Sequence, residues 1–257
     1  MLVLLLVAVT SFVAGVVNAV AGGGTFLTFP ALTYIKLTQQ VANVTSTLGL
    51  WPGSVASVAA ASRDFARIPR GQLVTYSIIS LLGGAAGAVI LINTSNSSFE
   101  HVIPWLLGFA TVIFAFSKPI ARWAGRQHGH RTLGWTLFVG FVQIFIAVYG
   151  GYFGAGIGVL MLAGLSFAGL DDIHQMNALK VLLSTLINGV AAVVFLFSHL
   201  VNWEIAGVMA VASILGGFFG MAVARKVKPD NLRAVILLIG ICLTAIYFAK
   251  NYHLLSH

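Results

Sequence analysis

The chain has 257 residues, 59% of them hydrophobic and only 8% charged, with a formal net charge of +8. A soluble domain carries about a quarter of its residues as Asp, Glu, Lys and Arg, so water is excluded as the main solvent, and a mean hydropathy of +0.98 agrees. The basic residues fall in gaps between apolar runs, the pattern that orients loops toward the cytoplasm and its anionic lipid, which excludes nucleic acid as the partner.

A hydrocarbon core of about 30 Å needs roughly 20 apolar residues per helical crossing. Runs of that order predict helices at 2–20, 42–62, 72–92, 101–119, 134–151, 175–197, 203–223 and 232–249. The first has no basic n-region and leads into further spans, so it is read as a span and not as a signal peptide. Two further runs, Thr25 to Leu37 and Ile157 to Leu170, are too short to cross as straight helices. Each follows a glycine cluster: Gly22-Gly23-Gly24 before one, and Gly150-Gly151, Gly154 and Gly156 before the other. Pro52, within Trp51-Pro-Gly53, predicts a kink in the second long helix.

A shift of about 132 residues lays Ala21-Gly-Gly-Gly-Thr25 over Phe153-Gly-Ala-Gly-Ile157, and one more residue lays Leu82-Gly-Gly-Ala-Ala-Gly87 over Leu215-Gly-Gly-Phe-Phe-Gly220. A two-residue insertion then brings Asn43-Val-Thr-Ser46 over Asn177-Ala-Leu-Lys180. Two glycine clusters matched in the same order predict an internal repeat: 1–120, a basic cytoplasmic linker at 121–133, and 134–257. The basic gaps are Arg63 to Arg70, Lys118 to Arg131 and Arg225 to Lys228. All fall on one side only if each short run counts as a crossing. Each half then crosses five times, an odd number, so the copies are inverted and both termini lie outside. The fold class read here is therefore all-α: a polytopic membrane protein of two inverted repeats of about five segments, with broken or half-length helices after the glycine clusters.

Short, glycine-interrupted segments at matched places in inverted repeats point to a transporter with its site near the midplane. The freed N–H groups at Gly22, Gly23, Gly24, Gly154 and Gly156, with the positive ends of the helices that follow, favour an anion; close helix packing is the plainer reading of the same glycines. One charge lies inside a span. Lys180 sits about a turn into its helix, where an ionisable residue is costly enough to be a functional candidate, or else snorkels to the surface. Asn177, Ser184 and Asn188 share its helical stripe, and Asn43, Ser46 and Ser54, flanked by Thr45 and Thr47, fill the matching positions, although such stripes also serve to bond neighbouring helices.

No acid lies within a span, which disfavours a sodium site or proton relay built on carboxylates. Export is preferred weakly, because an inside-negative potential drives an anion outward by about 2.3 kcal/mol per charge per 100 mV. The remaining motifs are bland. Asp171-Asp172-Ile-His174 reads as helix capping before a metal set. Gly164-Leu-Ser-Phe-Ala168 falls one residue short of a serine elbow, with no matched base. The single Cys242 sits in an apolar run and reads as a small buried hydrophobe, so neither a disulfide framework nor a cysteine metal site is available.

The stretch Val13-Ala-Gly-Val-Val-Asn-Ala-Val-Ala-Gly-Gly-Gly-Thr-Phe-Leu-Thr-Phe-Pro30, followed by Val41-Ala-Asn-Val-Thr-Ser46, resembles the TauE/SafE family of sulfite exporter-like permeases. Gly151-Tyr-Phe-Gly-Ala-Gly156 and Asn177-Ala-Leu-Lys180 repeat it. The resemblance covers nearly the whole chain and implies a carrier of the bacterial inner membrane for sulfite, organosulfonates or thiosulfate. The chain departs from the family pattern at Leu179, where a threonine usually precedes the lysine.

Together these readings give a secondary transporter with alternating access and neither catalytic residues, metal nor cofactor. Its anion is held by the glycine-loop amides, Asn43, Thr45, Ser46, Asn177 and Ser184, with Lys180 balancing the charge. The partners are that small anion and lipid, and homo-oligomerisation is left open. The rivals are a thiosulfate or sulfonate importer, a non-transporting membrane subunit, and an intramembrane hydrolase, which would need a nucleophile–base pair the sequence does not supply.

Overall fold

The structure is a computed structural model that describes residues 1–20, 22–61, 65, 68–125, 133–168, 173–224 and 229–252. The described residues form ten α-helices and no strand: α1 (Leu2–Val20), α2 (Thr25–Tyr34), α3 (Gln39–Ala60), α4 (Arg70–Ile92), α5 (Asn96–Gly125), α6 (Leu133–Tyr152), α7 (Ile157–Leu165), α8 (Ile173–Leu196), α9 (Trp203–Ala224) and α10 (Pro229–Asn251). Among them α1, α4, α5, α6, α8, α9 and α10 contain stretches long and apolar enough to cross a membrane. Outward-facing Phe141, Phe145, Val211, Phe218 and Leu238 are more than half exposed, the face a membrane helix presents to lipid, where no water rewards a polar side chain.

The expected segments are all present. The long polar-striped helix starts at Gln39, three residues earlier than its apolar run, because Thr38 caps it by accepting from Val41 N at 3.4 Å. α5 runs on to Gly125, five residues into the stretch expected as the linker. Nothing between Ile120 and Gly125 breaks a helix, and Pro119 acts within its own turn. The acids Asp171 and Asp172 and the basic residues Arg63, Arg67 and Arg225 to Lys228 lie outside the described residues.

Small residues set how the long helices pack. Gly216 and Gly220 of α9 lie on Phe12 and Val16 of α1, while Gly49 and Gly53 of α3 lie on Met209 and Ser213 of α9. Numbers rise together along each pair, so α1, α3 and α9 are parallel. Gly83 and Gly87 of α4 lie on Ala147 and Val148 of α6, which makes those two parallel as well. The groups are mutually antiparallel: Gln40, at the start of α3, donates from Nε2 to the carbonyls of Leu91 and Thr94 at the end of α4, both at 2.9 Å. α4 also packs on α8 through Gly84 and Ile187. Each three-helix group thus borrows its third member from the other half of the chain, and α5 and α10 pack on each other beside them.

The short helices return inside the long ones. Gly150 and Gly164 sit against Ile157 and Ile146, so α7 runs back along α6. Gly24 lies against Ala14 and Asn18 of α1 in the same way, and α2 joins the two parallel helices α1 and α3. At the end where α6 finishes and α3 starts, Phe29, Phe99, Phe153, Tyr149 and Tyr152 pack edge to face with centroids 5.5 to 6.3 Å apart. Phe29, Phe99 and Phe153 are no more than 1% exposed, so this end is closed by aromatic rings.

Candidate functional site

The two glycine breaks meet. Gly22 has φ +78° and Gly154 and Gly156 have φ +73°, values in the left-handed region that glycine enters without steric cost. The carbonyl of Gly22 accepts from Gly158 N at 3.1 Å, and a Cβ at Gly22 would overlap Gly158 Cα. Each break therefore unwinds where it touches the other, and a side chain at Gly22 is forbidden by the contact itself.

Beside this crossing lies a small cavity with an open mouth. Its walls come from the end of α1 (Asn18), the breaks (Gly22, Ile157, Gly158), the second half of α3 (Ser54, Ser57) and the middle of α8 (Lys180, Val181, Ser184, Thr185, Asn188). Lys180 is 1% exposed and its Nζ donates to the carbonyl of Val20, the last residue of α1, at 3.3 Å. It does not snorkel; its ammonium is held inside by the negative end of a helix. Among the described residues no carboxylate pairs with it. Ser184, one turn on, has a buried hydroxyl with no hydrogen-bond partner. Thr185 bonds back to Val181 O at 2.7 Å and its own carbonyl takes Trp51 Nε1 at 3.2 Å, which fixes α8 against α3 where they form the wall.

Of the residues expected at the site, the structure brings Gly22, Lys180 and Ser184 together at this cavity, and the others lie elsewhere. Gly24 N donates to Asn18 Oδ1 at 2.7 Å and Gly154 N to Tyr149 O at 3.4 Å, so those amides are spent on the fold, as is that of Gly22, on Val17 O. Gly23 packs beside Phe26 and Ile236, and Gly156 beside Phe26 and Ala110, off the cavity wall. Asn177, although on the Lys180 stripe, does not line the cavity.

The first-half motif sits near the opposite end of α3 and is engaged in helix bonding. Asn43 donates from Nδ2 to Tyr152 O at 3.0 Å, Thr45 Oγ1 accepts from Asn202 N at 3.1 Å, and Ser46 shares a 2.6 Å bond with Thr28. Sequence reasoning left Asn18 and Ser57 out of the site. The signal for Asn18 was an amide in an otherwise apolar span four residues before a glycine triplet; Ser57, one turn after Ser54, carried no separate signal.

Other chemistry finds no support among the described residues. No three of His, Cys, Asp and Glu gather as a metal set. Ser166 of the near-elbow donates to Ala163 O at 2.6 Å, the bond of a helix end. A buried ammonium without a carboxylate, an unbonded hydroxyl and two amide side chains at the wall make a cavity that can balance and hydrogen-bond one small anion.

Comparison with known proteins gives a consistent picture. The family described as "Sulfite exporter TauE/SafE" matches residues 7–248. A "Probable membrane transporter protein" of Haemophilus influenzae is 27% identical over 238 residues, covering 91% of this chain and 90% of that protein. "Probable membrane transporter protein ORF9" of Sinorhizobium is 24% identical over 95% of this chain and 92% of its own. "Probable membrane transporter protein YfcA" of Escherichia coli K12 is 24% identical, with 91% and 86% covered. No solved structure is significantly similar.

Proposed function

The chain belongs to the TauE/SafE sulfite exporter family, and from that premise we propose that this multi-pass membrane protein carries a small sulfur-containing monoanion, sulfite as hydrogensulfite or an organosulfonate, across the bacterial inner membrane. The observation that carries the proposal is Lys180: 1% exposed, at a cavity, and without a carboxylate partner among the described residues. A buried charge is expensive unless paired, and among the described residues the counter-charge beside this one is the partial charge of a helix end. An anion entering the cavity completes the pairing. The oxygens of a sulfonate accept from the ammonium, from Ser184 and from the amides of Asn18 and Asn188, while Ile157 and Val181 leave an apolar wall for a short carbon stem.

Two inverted halves that exchange access suit this carrier. What supports them is the opposed direction of α1 and α6, the matching glycine breaks, and the closed aromatic end set against a cavity at the other. With no acid relay, the membrane potential favours export of the free anion; import is the second reading within transport.

Thermal stabilisation of the purified protein by sulfite, methanesulfonate, sulfoacetate, thiosulfate and sulfate tests the proposal, since a ligand that binds only the folded state raises the unfolding midpoint with its concentration. Selective stabilisation by singly charged sulfur anions is expected, with half-saturation weakened about 10- to 100-fold in Lys180→Ala, the loss of one charge-assisted hydrogen bond. No stabilisation by any of these anions, or an unchanged response in the variant, would overturn it. Sided flux in vesicles of the protein alone then separates export from import, and a carrier from a subunit that needs a partner chain.

A further inference from the structure

Two buried oxygens at the opposite end of α3 have no donor. Gln39 and Asn43 stand one turn apart on one face of the helix, are 5% and 1% exposed, and leave Gln39 Oε1 and Asn43 Oδ1 without a hydrogen bond. The Asn43 amide cannot be turned round to relieve this, because its Nδ2 is committed to the carbonyl of Tyr152, the last residue of α6, at 3.0 Å. A flip would set oxygen against oxygen.

The repeat shows what such a place takes. Val20 and Tyr152 end α1 and α6 and lie 132 residues apart, the shift that relates the two halves. Near its start α8 sends Lys180 to Val20 O, and near its start α3 sends Asn43 to Tyr152 O. The α1 end therefore has a covalently fixed cation, whereas the matching α6 end has a neutral amide and two unbonded oxygens. The position aligned with Lys180 is Ser46, and it is neutral.

We propose that Gln39 Oε1 and Asn43 Oδ1, with the terminal carbonyls of α6, bind a monovalent alkali cation. Neutral oxygens suit a hard cation, and the carboxyl end of α6 adds negative potential. In broken-helix transporters unwound carbonyls and helix ends hold sodium in this manner. The positive start of α3 opposes the cation, but its Gln40 and Val41 N–H groups are already bonded to Asn96 Oδ1 and Thr38 Oγ1. Asn96 in turn bonds the Glu100 carboxylate at 2.8 Å, which returns negative charge to the same end. Among the described residues no carboxylate touches the two oxygens directly, so a single charge is the fitting load. A cation here and a monoanion at Lys180 sum to zero, and the membrane potential then no longer decides the direction of transport.

The test uses the purified full-length protein with no sulfur anion present, so it stands apart from the anion proposal. Lithium, sodium, potassium and N-methyl-D-glucamine gluconate are titrated at fixed ionic strength and the unfolding midpoint is followed. A saturable rise with one alkali cation is expected over the glucamine salt. Its half-saturation moves at least tenfold higher in Gln39→Leu, which deletes one oxygen and no hydrogen bond, and lower in Gln39→Glu, which keeps the oxygen and adds charge. Equal curves for alkali and glucamine salts would mean that water alone meets these oxygens and would overturn the proposal. So would unchanged half-saturation in both variants.

Discussion

Two serines, both set in helices and both facing protein, separate the two uses of a hydroxyl in this molecule. Ser213 Oγ donates to Gly49 O at 2.7 Å, tying α9 to α3, whereas Ser184 Oγ is buried at the cavity and bonds nothing. Ser213→Ala leaves a hydrogen bond unmade inside a helix contact and is expected to lower stability by about 1 kcal/mol. Ser184→Ala removes no bond and relieves an unsatisfied group, so the unfolding midpoint of the free protein should hold or rise. Its sulfonate half-saturation should weaken by about 10-fold or more, the worth of one hydrogen bond to a charged group. Calorimetry of both variants with and without methanesulfonate makes the comparison; a Ser184→Ala protein that loses stability and keeps affinity would reassign the hydroxyl to structure. Lys180 was legible in the sequence because charge inside an apolar run stands out. The separation of Asn43 and Ser46 from it was not, because a match of sequence motifs carries no information on which end of its helix each motif occupies.

At the scale of elements, the glycine clusters announce the broken helices but not what the breaks do. The sequence suggested free amides aimed at an anion; the fold instead consumes those of Gly22, Gly24 and Gly154 on Val17, Asn18 and Tyr149. The reason is that an unsatisfied N–H at membrane depth costs several kcal/mol, so the nearest acceptors take what they can reach. What remains is contact between the halves, and Gly22→Ala tests it. A methyl there meets Gly158 Cα and a φ of +78°, so a loss of about 2 to 5 kcal/mol is expected from overpacking and left-handed strain together. Gly207→Ala is the control: it lies in α9 with nothing within 4 Å of the added methyl, and about 0.5 to 1 kcal/mol of stabilisation is expected. Denaturation of both in the same detergent decides; equal midpoints would show that the crossing tolerates a side chain and that the breaks do not touch as described.

For the whole molecule, chain direction distinguishes one end from the other, and hydropathy could only count the segments. Neither the exchange of α4 and α9 between groups nor the meeting of the two glycine breaks leaves a periodic signal, because both depend on long-range glycine contacts that a single sequence does not pair. The cavity lies toward the ends of α1 and α3, against the middle of α8, and the rings of Phe29, Phe99 and Phe153 close the far end. The positive-inside rule would place the basic gap that follows α3 in the cytoplasm, so the conformation described should be entered from inside. In a background with exposed Cys242 replaced by serine, Ser54→Cys is expected to react with a membrane-impermeant thiol reagent from the cytoplasmic face, and more slowly once methanesulfonate is bound. Exchange of access between the ends should let the outer face reach the same residue at a rate that follows transport, and Phe29→Ala, by thinning the aromatic closure, should raise that rate several-fold while leaving inner labelling as it was. Labelling of Ser54→Cys from the outer face alone would invert the orientation argued from the basic gaps, and labelling from neither face would remove the cavity from the transport path.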